Sequence, residues 1–93
     1  MSSYVLQNSS ETIVIVRTPW SGQVVEVRVR LGAEVDEDES LVLIENKSME
    51  GVPETVYAPI AGVVLEIHVE EGDILQVDDE LVTLEGEESD EDA

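Results

Sequence analysis

Two stretches decide the fold: TPWSGQVVEVRVRLGAEVDEDESLVLIE, residues 18–45, and APIAGVVLEIHVEEGDILQVDDELVTLE, residues 58–85. They align without a gap when the sequence is shifted by 40 residues. Identical residues that the shift superimposes include Pro19 and Pro59, Gly22 and Gly62, Gly32 and Gly72, Glu45 and Glu85. Two copies are too few to bury their faces in a solenoid, which needs more units. The duplication therefore predicts two halves that pack against each other about a pseudo-twofold axis.

Each half has the same order of strand and turn signals. A Pro-x-x-Gly turn opens it, and a run in which apolar and polar residues alternate predicts a strand with one buried face. The residues predicted to face the core are Val25, Val27, Val29, Leu65, Ile67 and Val69. Gly32 and Gly72 then suit tight turns with positive φ. Apolar strands are predicted to end each half, at residues 41–44 and 81–84, and to precede each half, at residues 13–16 and 55–58.

The composition agrees with one small all-β domain. The chain has 93 residues and no cysteine, which excludes disulfides and a thiolate metal site. Its apolar residues are mostly Val, Ile and Leu, with no Phe, and branched side chains of this kind favour strands. We predict a disordered N-terminal segment over residues 1–11, the domain over 12–85 and a disordered acidic tail over 86–93.

The charge balance is strongly negative, with 23 Asp and Glu against 4 Lys and Arg and a formal net charge of -19. Such a surface repels phosphate backbones and anionic membranes, so we expect neither nucleic acid nor membrane as a partner. No apolar run reaches the length of a membrane span, and the N-terminus has no signal-peptide pattern. We therefore expect a soluble, cytoplasmic protein. The acidity fits either general solubility or a habitat of high salt, where ions screen the repulsion.

No catalytic or metal-binding constellation stands out. His68 is expected to be a solvated histidine, because the sequence offers it no nucleophile and no second histidine. The acidic run over residues 36–39 lacks the spacing and glycine of an EF-hand and is expected to be a solvated turn. Trp20 is expected to pack against the end of the barrel. We therefore predict no catalytic residue and no metal site.

Taken in order, the motifs resemble the biotinyl/lipoyl attachment domain over residues 12–85. The motifs are Pro19-x-x-Gly22, Val24-Val-Glu-Val27, Gly32, Leu41-Val-Leu-Ile-Glu45, Tyr57-Ala-Pro-Ile-Ala-Gly62 and Glu71-Gly-Asp73. The resemblance implies an all-β fold, a flattened barrel-sandwich hybrid of two quasi-twofold-related halves. It also implies that a lysine on the hairpin between the halves carries the cofactor covalently.

Lys47 is the only lysine of the chain, and it lies in the polar connection NKSMEGVPET, residues 46–55, predicted to turn at the surface. By resemblance it is the attachment residue, flanked in the recognition motif by Glu45, Asn46, Ser48 and Met49. Biotin carriers typically read E-x-M-K-M-E here. In this chain the lysine stands one place early, and Ser48 occupies its usual position. The segment from Asn46 to Ser48 is also similar to the D-K-A of lipoyl domains.

The opening turn favours the biotin branch, because lipoyl domains typically lengthen it and this chain keeps it compact. The resemblance thus implies a non-catalytic carrier that presents biotin on Lys47 to carboxylase or carboxyltransferase subunits, after modification by a biotin-protein ligase. Two alternatives remain open. One is a lipoyl carrier that receives lipoate from a lipoate-protein ligase. The other is an unmodified domain of the same fold that serves as a binding or assembly module.

Overall fold

The computed structural model describes residues 12–46 and 52–86. Within them the chain forms eight strands: β1 Thr12–Arg17, β2 Gly22–Val27, β3 Glu34–Val35, β4 Ser40–Glu45, β5 Pro53–Tyr57, β6 Gly62–Ile67, β7 Ile74–Leu75 and β8 Glu80–Gly86. No helix capable of crossing a membrane occurs in this described part. The segments predicted to be disordered are residues 1–11 and 86–93, and all of them except Gly86 lie outside it. Strand β8 runs to Gly86, one residue past the predicted end of the domain.

The strands form two antiparallel sheets of four, in the orders β1-β8-β6-β3 and β5-β4-β2-β7. A shift of 40 residues converts the first order into the second. Each half of the chain supplies two strands to each sheet, so neither sheet belongs to one half. The predicted all-β architecture of two quasi-twofold-related halves is confirmed, and its sheets remain open at their edges like those of a sandwich.

Backbone hydrogen bonds at the turns also join one half to the other. The Thr18 amide donates to the carbonyl of Asp79 at 3.0 Å, and the Asp78 amide donates to the carbonyl of Thr18 at 2.8 Å. The same two bonds recur 40 residues further on around Ala58. The opening turn of each half is therefore held by the acidic turn of the other half.

The core lies between the sheets, and its most buried large side chains are Leu41, Ile44, Leu81 and Leu84. These residues come from β4 and β8, the two strands that are nearly all apolar in the sequence. Both strands occupy interior positions of their sheets, and neither has a clear polar face. Trp20 is half-buried and packs against this core, as predicted.

The predicted alternation is wrong at Val25 and Leu65. They are 41% and 40% exposed, whereas the preceding residues Val24 and Val64 are buried. The pairing register shifts between Val24 and Glu26, and again at the equivalent place in the second half. A β-bulge of this kind inserts one extra residue and reverses which residues face the core. The alternation is restored after the bulge, where Val29 and Val69 are buried as predicted.

The turns also follow the repeat. Gly32 and Gly72 have φ of 82° and 93°, which confirms the predicted positive-φ turns. The predicted acidic turn over residues 36–39 contains Asp38 at a φ of 72°. There the Asp36 amide donates to Oε1 of Glu39 at 2.8 Å, so this carboxylate closes the turn.

Gly22 and Gly62 are needed for a different reason, the close approach of neighbouring backbone. A Cβ at Gly22 would collide with the carbonyl oxygen of Glu45 and lie 2.9 Å from Cγ2 of Ile44. At Gly62 it would meet the carbonyl oxygen of Glu85. Each Pro-x-x-Gly turn therefore ends in glycine so that a neighbouring strand end can lie against it.

Replacing Gly62 with alanine should cost about 3 kcal/mol of unfolding free energy, because backbone must move to admit the methyl group. Gly32→Ala is the matched control: the space around Gly32 is open, so only the positive φ opposes the change, at about 1–2 kcal/mol. Urea unfolding followed by circular dichroism measures both. Equal losses in the two variants would contradict the steric explanation.

The few described basic side chains barely offset the acidic surface. Arg17 lies 3.4 Å from Oε2 of Glu80 and Arg28 lies 3.4 Å from Oε1 of Glu26, and all four side chains are substantially exposed. Exposed pairs of this kind stabilise a fold only weakly. With a net charge of -19, repulsion among carboxylates dominates the surface electrostatics.

Added salt should therefore stabilise this domain. Raising NaCl from 0.01 to 1 M shortens the Debye length from about 30 Å to about 3 Å, which screens the repulsion. We expect a rise in Tm of about 4–8 °C, equivalent to roughly 1 kcal/mol in a domain of this size. The double variant Glu37→Gln, Glu71→Gln, at exposed turn positions, should start with a higher Tm and gain less from salt. A Tm that is flat with NaCl in both proteins would show that repulsion is unimportant.

Candidate functional site

The connection between β4 and β5 is shorter than the sequence predicted. Glu45 pairs with Pro53, so residues 53–55 belong to β5 and the connection covers residues 46–52. Pro53 can begin β5 because this strand lies at a sheet edge, where a missing N–H need not break the ladder. The predicted surface turn over residues 46–55 is therefore wrong at its C-terminal end.

Of this connection the structure describes the two ends, Asn46 and Val52. The predicted attachment residue Lys47, together with Ser48 and Met49, lies outside the described residues, and its role stays a prediction. Glu45, the last residue of β4, and Asn46 are both half-buried. The strand pairing thus fixes Glu45, two residues before Lys47.

A groove of about 450 Å³ opens beside Asn46. Its lining comes from the turn before β2, the start of β2, the end of β4 and β7: Ser21, Gly22, Gln23, Glu45, Asn46, Ile74 and Leu75. These elements meet because Gln23 pairs with Glu45 on one side and with Ile74 on the other. The groove has a mixed surface, with apolar side chains from β7 and amide and carboxylate groups from β2 and β4.

Two side chains define the character of this groove. Leu75 is buried, whereas Ile74 is 74% exposed, the highest value among the exposed large hydrophobic residues of the described segments. A hydrogen bond holds the side-chain amide of Gln23 in place: its Nε2 donates to the carbonyl of Gly72 at 3.1 Å. Sequence analysis missed the groove, since no motif marks it. The available signal was Ile74 itself, which aligns with Glu34 in the other half.

A second, smaller groove of about 150 Å³ occupies the twofold-related place. It is lined by Glu34, Val35, Asp36, Ala61 and Gly62. Four of these residues are the 40-residue equivalents of lining residues in the larger groove. The duplication therefore creates the groove twice, and the copy beside Asn46 is the larger and more apolar one.

His68 is exposed, as the sequence predicted, but its ring is partly covered. Its side chain is 27% exposed, and Nε2 lies 2.8 Å from Oγ1 of Thr83, a buried residue. Nε2 is also 3.4 Å from Oε1 of Glu66 and 3.8 Å from Oε1 of Glu80. The ring therefore covers a polar side chain on the outer face of its sheet. Across residues 12–46 and 52–86, no three or more His, Asp or Glu side chains are placed to hold a metal ion.

Comparison with known proteins gives one family and many similar folds. The family model described as "Biotin-requiring enzyme", for biotin/lipoyl domains, matches residues 14–84. No curated protein sequence matches the chain.

Among solved structures, the chain is similar to urea carboxylase from Kluyveromyces lactis, with a TM-score of 0.71 and 18% identity over 90% of this chain. It is similar to a single-chain, multi-domain long-chain acyl-CoA carboxylase, with a TM-score of 0.70 and 25% identity over 95% of this chain. The chain spans only 7% and 8% of these carboxylase chains.

A third similar structure is a succinylglutamate desuccinylase/aspartoacylase from Rhodobacter sphaeroides, with a TM-score of 0.64 and 19% identity. The match covers 82% of this chain and 22% of that one. At this level of identity the likeness shows the fold alone.

Proposed function

Since this chain belongs to the biotin/lipoyl attachment family, we propose that it carries biotin, bound as an amide to the Lys47 side chain, to carboxylase or carboxyltransferase subunits. Carrier domains of this family are non-catalytic parts of larger enzymes. When bound, the cofactor supplies the chemistry of carboxyl transfer, and the protein supplies attachment, presentation and recognition.

The compact opening turn is the observation that carries the choice of biotin. Residues 18–21 connect β1 to β2, and residues 58–61 connect β5 to β6, so both opening turns have the same short length. The lipoyl branch resembled by this chain typically lengthens the first of them. The 25% identity with a long-chain acyl-CoA carboxylase, over 95% of this chain, supports the same choice.

The residues around the connection fit an attachment site. Lys47 offers the only lysine side-chain amine of the chain. The pairing of Glu45 with Pro53 holds the two ends of the connection together. A lysine amine is protonated at neutral pH, so the ligase must activate the cofactor carboxylate and accept the proton of the amine.

The shifted position of the lysine supports a second candidate, the unmodified binding or assembly module. Lys47 stands one place before the usual acceptor position, which Ser48 occupies. The lipoyl carrier remains the third candidate, because Asn46-Lys47-Ser48 is similar to the lipoyl motif.

Co-expression with a biotin-protein ligase should add one biotin-sized mass to the intact protein, and peptide mapping should place it on Lys47. Lys47→Arg should remove the adduct. Arg30→Lys, which adds a lysine at an exposed position elsewhere, should still carry one adduct and not two. A lipoate-sized adduct from the native host would favour the lipoyl carrier. If the protein stays unmodified while a reference carrier is fully biotinylated under the same conditions, the biotin carrier is excluded and the binding or assembly module is supported.

Moving the lysine should reveal how strictly a ligase reads its position. The double variant Lys47→Ser, Ser48→Lys places the amine in the usual slot of E-x-M-K-M-E, so a ligase of that branch should modify it faster than the natural chain. The rate of adduct formation under identical conditions measures the difference. Slower modification of the double variant would mean that the connection over residues 46–52 presents Lys47 correctly as it stands.

A further inference from the structure

We propose that the groove beside Asn46 binds the ring (head group) of the cofactor carried on Lys47. We also propose that the polar residues of its lining, Gln23, Glu45 and Asn46, favour the cyclic urea of biotin over the dithiolane ring of lipoate. The proposal rests on attachment at Lys47, as proposed above, and adds a second, noncovalent site on the carrier itself. It concerns the described residues of β2, β4 and β7.

Proximity along the chain identifies the occupant. Asn46 lines the groove, and Lys47 is the next residue, so any group on the Lys47 amine is tethered beside it. Tethering raises the effective concentration of a ligand to about the millimolar range. A head group with only weak intrinsic affinity can therefore occupy the groove for much of the time and still leave it for a partner enzyme.

The internal repeat shows that the groove is larger than the fold requires. The twofold-related groove has about 150 Å³ against about 450 Å³, and it has no lysine beside it, since the residue equivalent to Lys47 is Glu87. Ile74 replaces the Glu34 of the smaller groove. Of these two grooves in the described residues, the one next to the single lysine is the larger and the more apolar.

Folding gives no evident reason for Ile74. Its side chain is 74% exposed, so it contributes little to the core. The aligned Glu34 shows that the same backbone position accepts a charged residue. In the groove lining, Ile74 lies next to Leu75 and gives an apolar ring a surface to contact.

The chemistry of the lining suits a ring with an apolar body and a polar edge. Ile74 and Leu75 offer the apolar surface, and Gln23, Asn46 and Glu45 supply amide and carboxylate groups. A cyclic urea has two N–H donors and one carbonyl acceptor, which match carboxylate and amide partners. A dithiolane offers only weakly accepting sulfur. The groove volume also lies within the range of about 300–1,000 Å³ typical of small-molecule sites.

The test attaches the arm chemically, so it does not depend on any ligase. Activated esters of biotin, lipoate and hexanoate each form an amide with the amine of Lys47 and release their alcohol leaving group. Protein acylated at that residue alone is separated by ion-exchange chromatography from protein acylated at the N-terminal amine, and intact mass and peptide mapping verify the product. Backbone amide signals of Gln23, Ile74 and Leu75 are then compared by NMR. We expect shifts with the biotinoyl arm that the hexanoyl arm does not produce, and smaller shifts with the lipoyl arm.

Two charge variants test the groove directly. Ile74→Glu recreates the residue of the smaller groove and should abolish the shifts at Gln23 and Leu75. Val77→Glu is the matched control, since it adds the same charge at a 57% exposed position outside the groove lining, and it should preserve them. If the backbone amide signals of Gln23 and Leu75 are the same in the biotinoyl and hexanoyl proteins, the proposal is overturned. Equal shifts with biotinoyl and lipoyl arms would overturn the selection for a urea.

Capture by streptavidin provides an independent readout. If the head group is seated about 80% of the time, only the remaining fraction is competent for capture, so the rate falls about fivefold relative to a free arm. Ile74→Glu should restore the fast rate and Val77→Glu should not. Identical rates in all three proteins would contradict seating. Because the arm is attached chemically, a failure of ligase modification and a failure of seating are separate results.

Discussion

Antiparallel pairing between strands of different halves is the interaction on which this structure depends. Strand β4 of the first half pairs with β5 of the second, and β8 of the second half pairs with β1 of the first. Backbone hydrogen bonds around Thr18 and Ala58 also join one half to the other. Neither half has a sheet of its own, so the apolar strands β4 and β8 become buried only when both halves are in place. The ends of the connection that bears Lys47 are therefore held by pairing that involves the whole domain.

Much of this architecture could be predicted from the sequence, because the repeat doubles every signal. Strands, glycine turns and the order of elements appear twice, and an error would have to occur in both copies. Such a paired error did occur at Val25 and Leu65, because both halves contain a bulge and alternation alone does not mark the extra residue. The two-residue strands β3 and β7 were also missed, since their length gives no periodic pattern.

The site was less predictable, for physical reasons that differ between its parts. The lysine was found because it is the only one and lies between the halves. The groove was missed because it forms where the start of β2, the end of β4 and β7 meet, and these segments are far apart in the sequence. Its marker was a departure from the repeat, an apolar Ile74 aligned with Glu34. In a duplicated chain, such departures indicate function better than the matching positions do, because matching positions mainly serve the shared fold.

The equivalent registers of the two halves make each half complementary to a copy of itself. Each pairing in one sheet recurs in the other at the same relative positions, including the two bulges. A chain of half this length would carry all the groups needed to pair with a second copy of itself. Joining two such copies would require only one new segment, from the end of β4 to the start of β5. Lys47 lies in that joining segment, so the only lysine of the chain stands where the symmetry of the two halves ends.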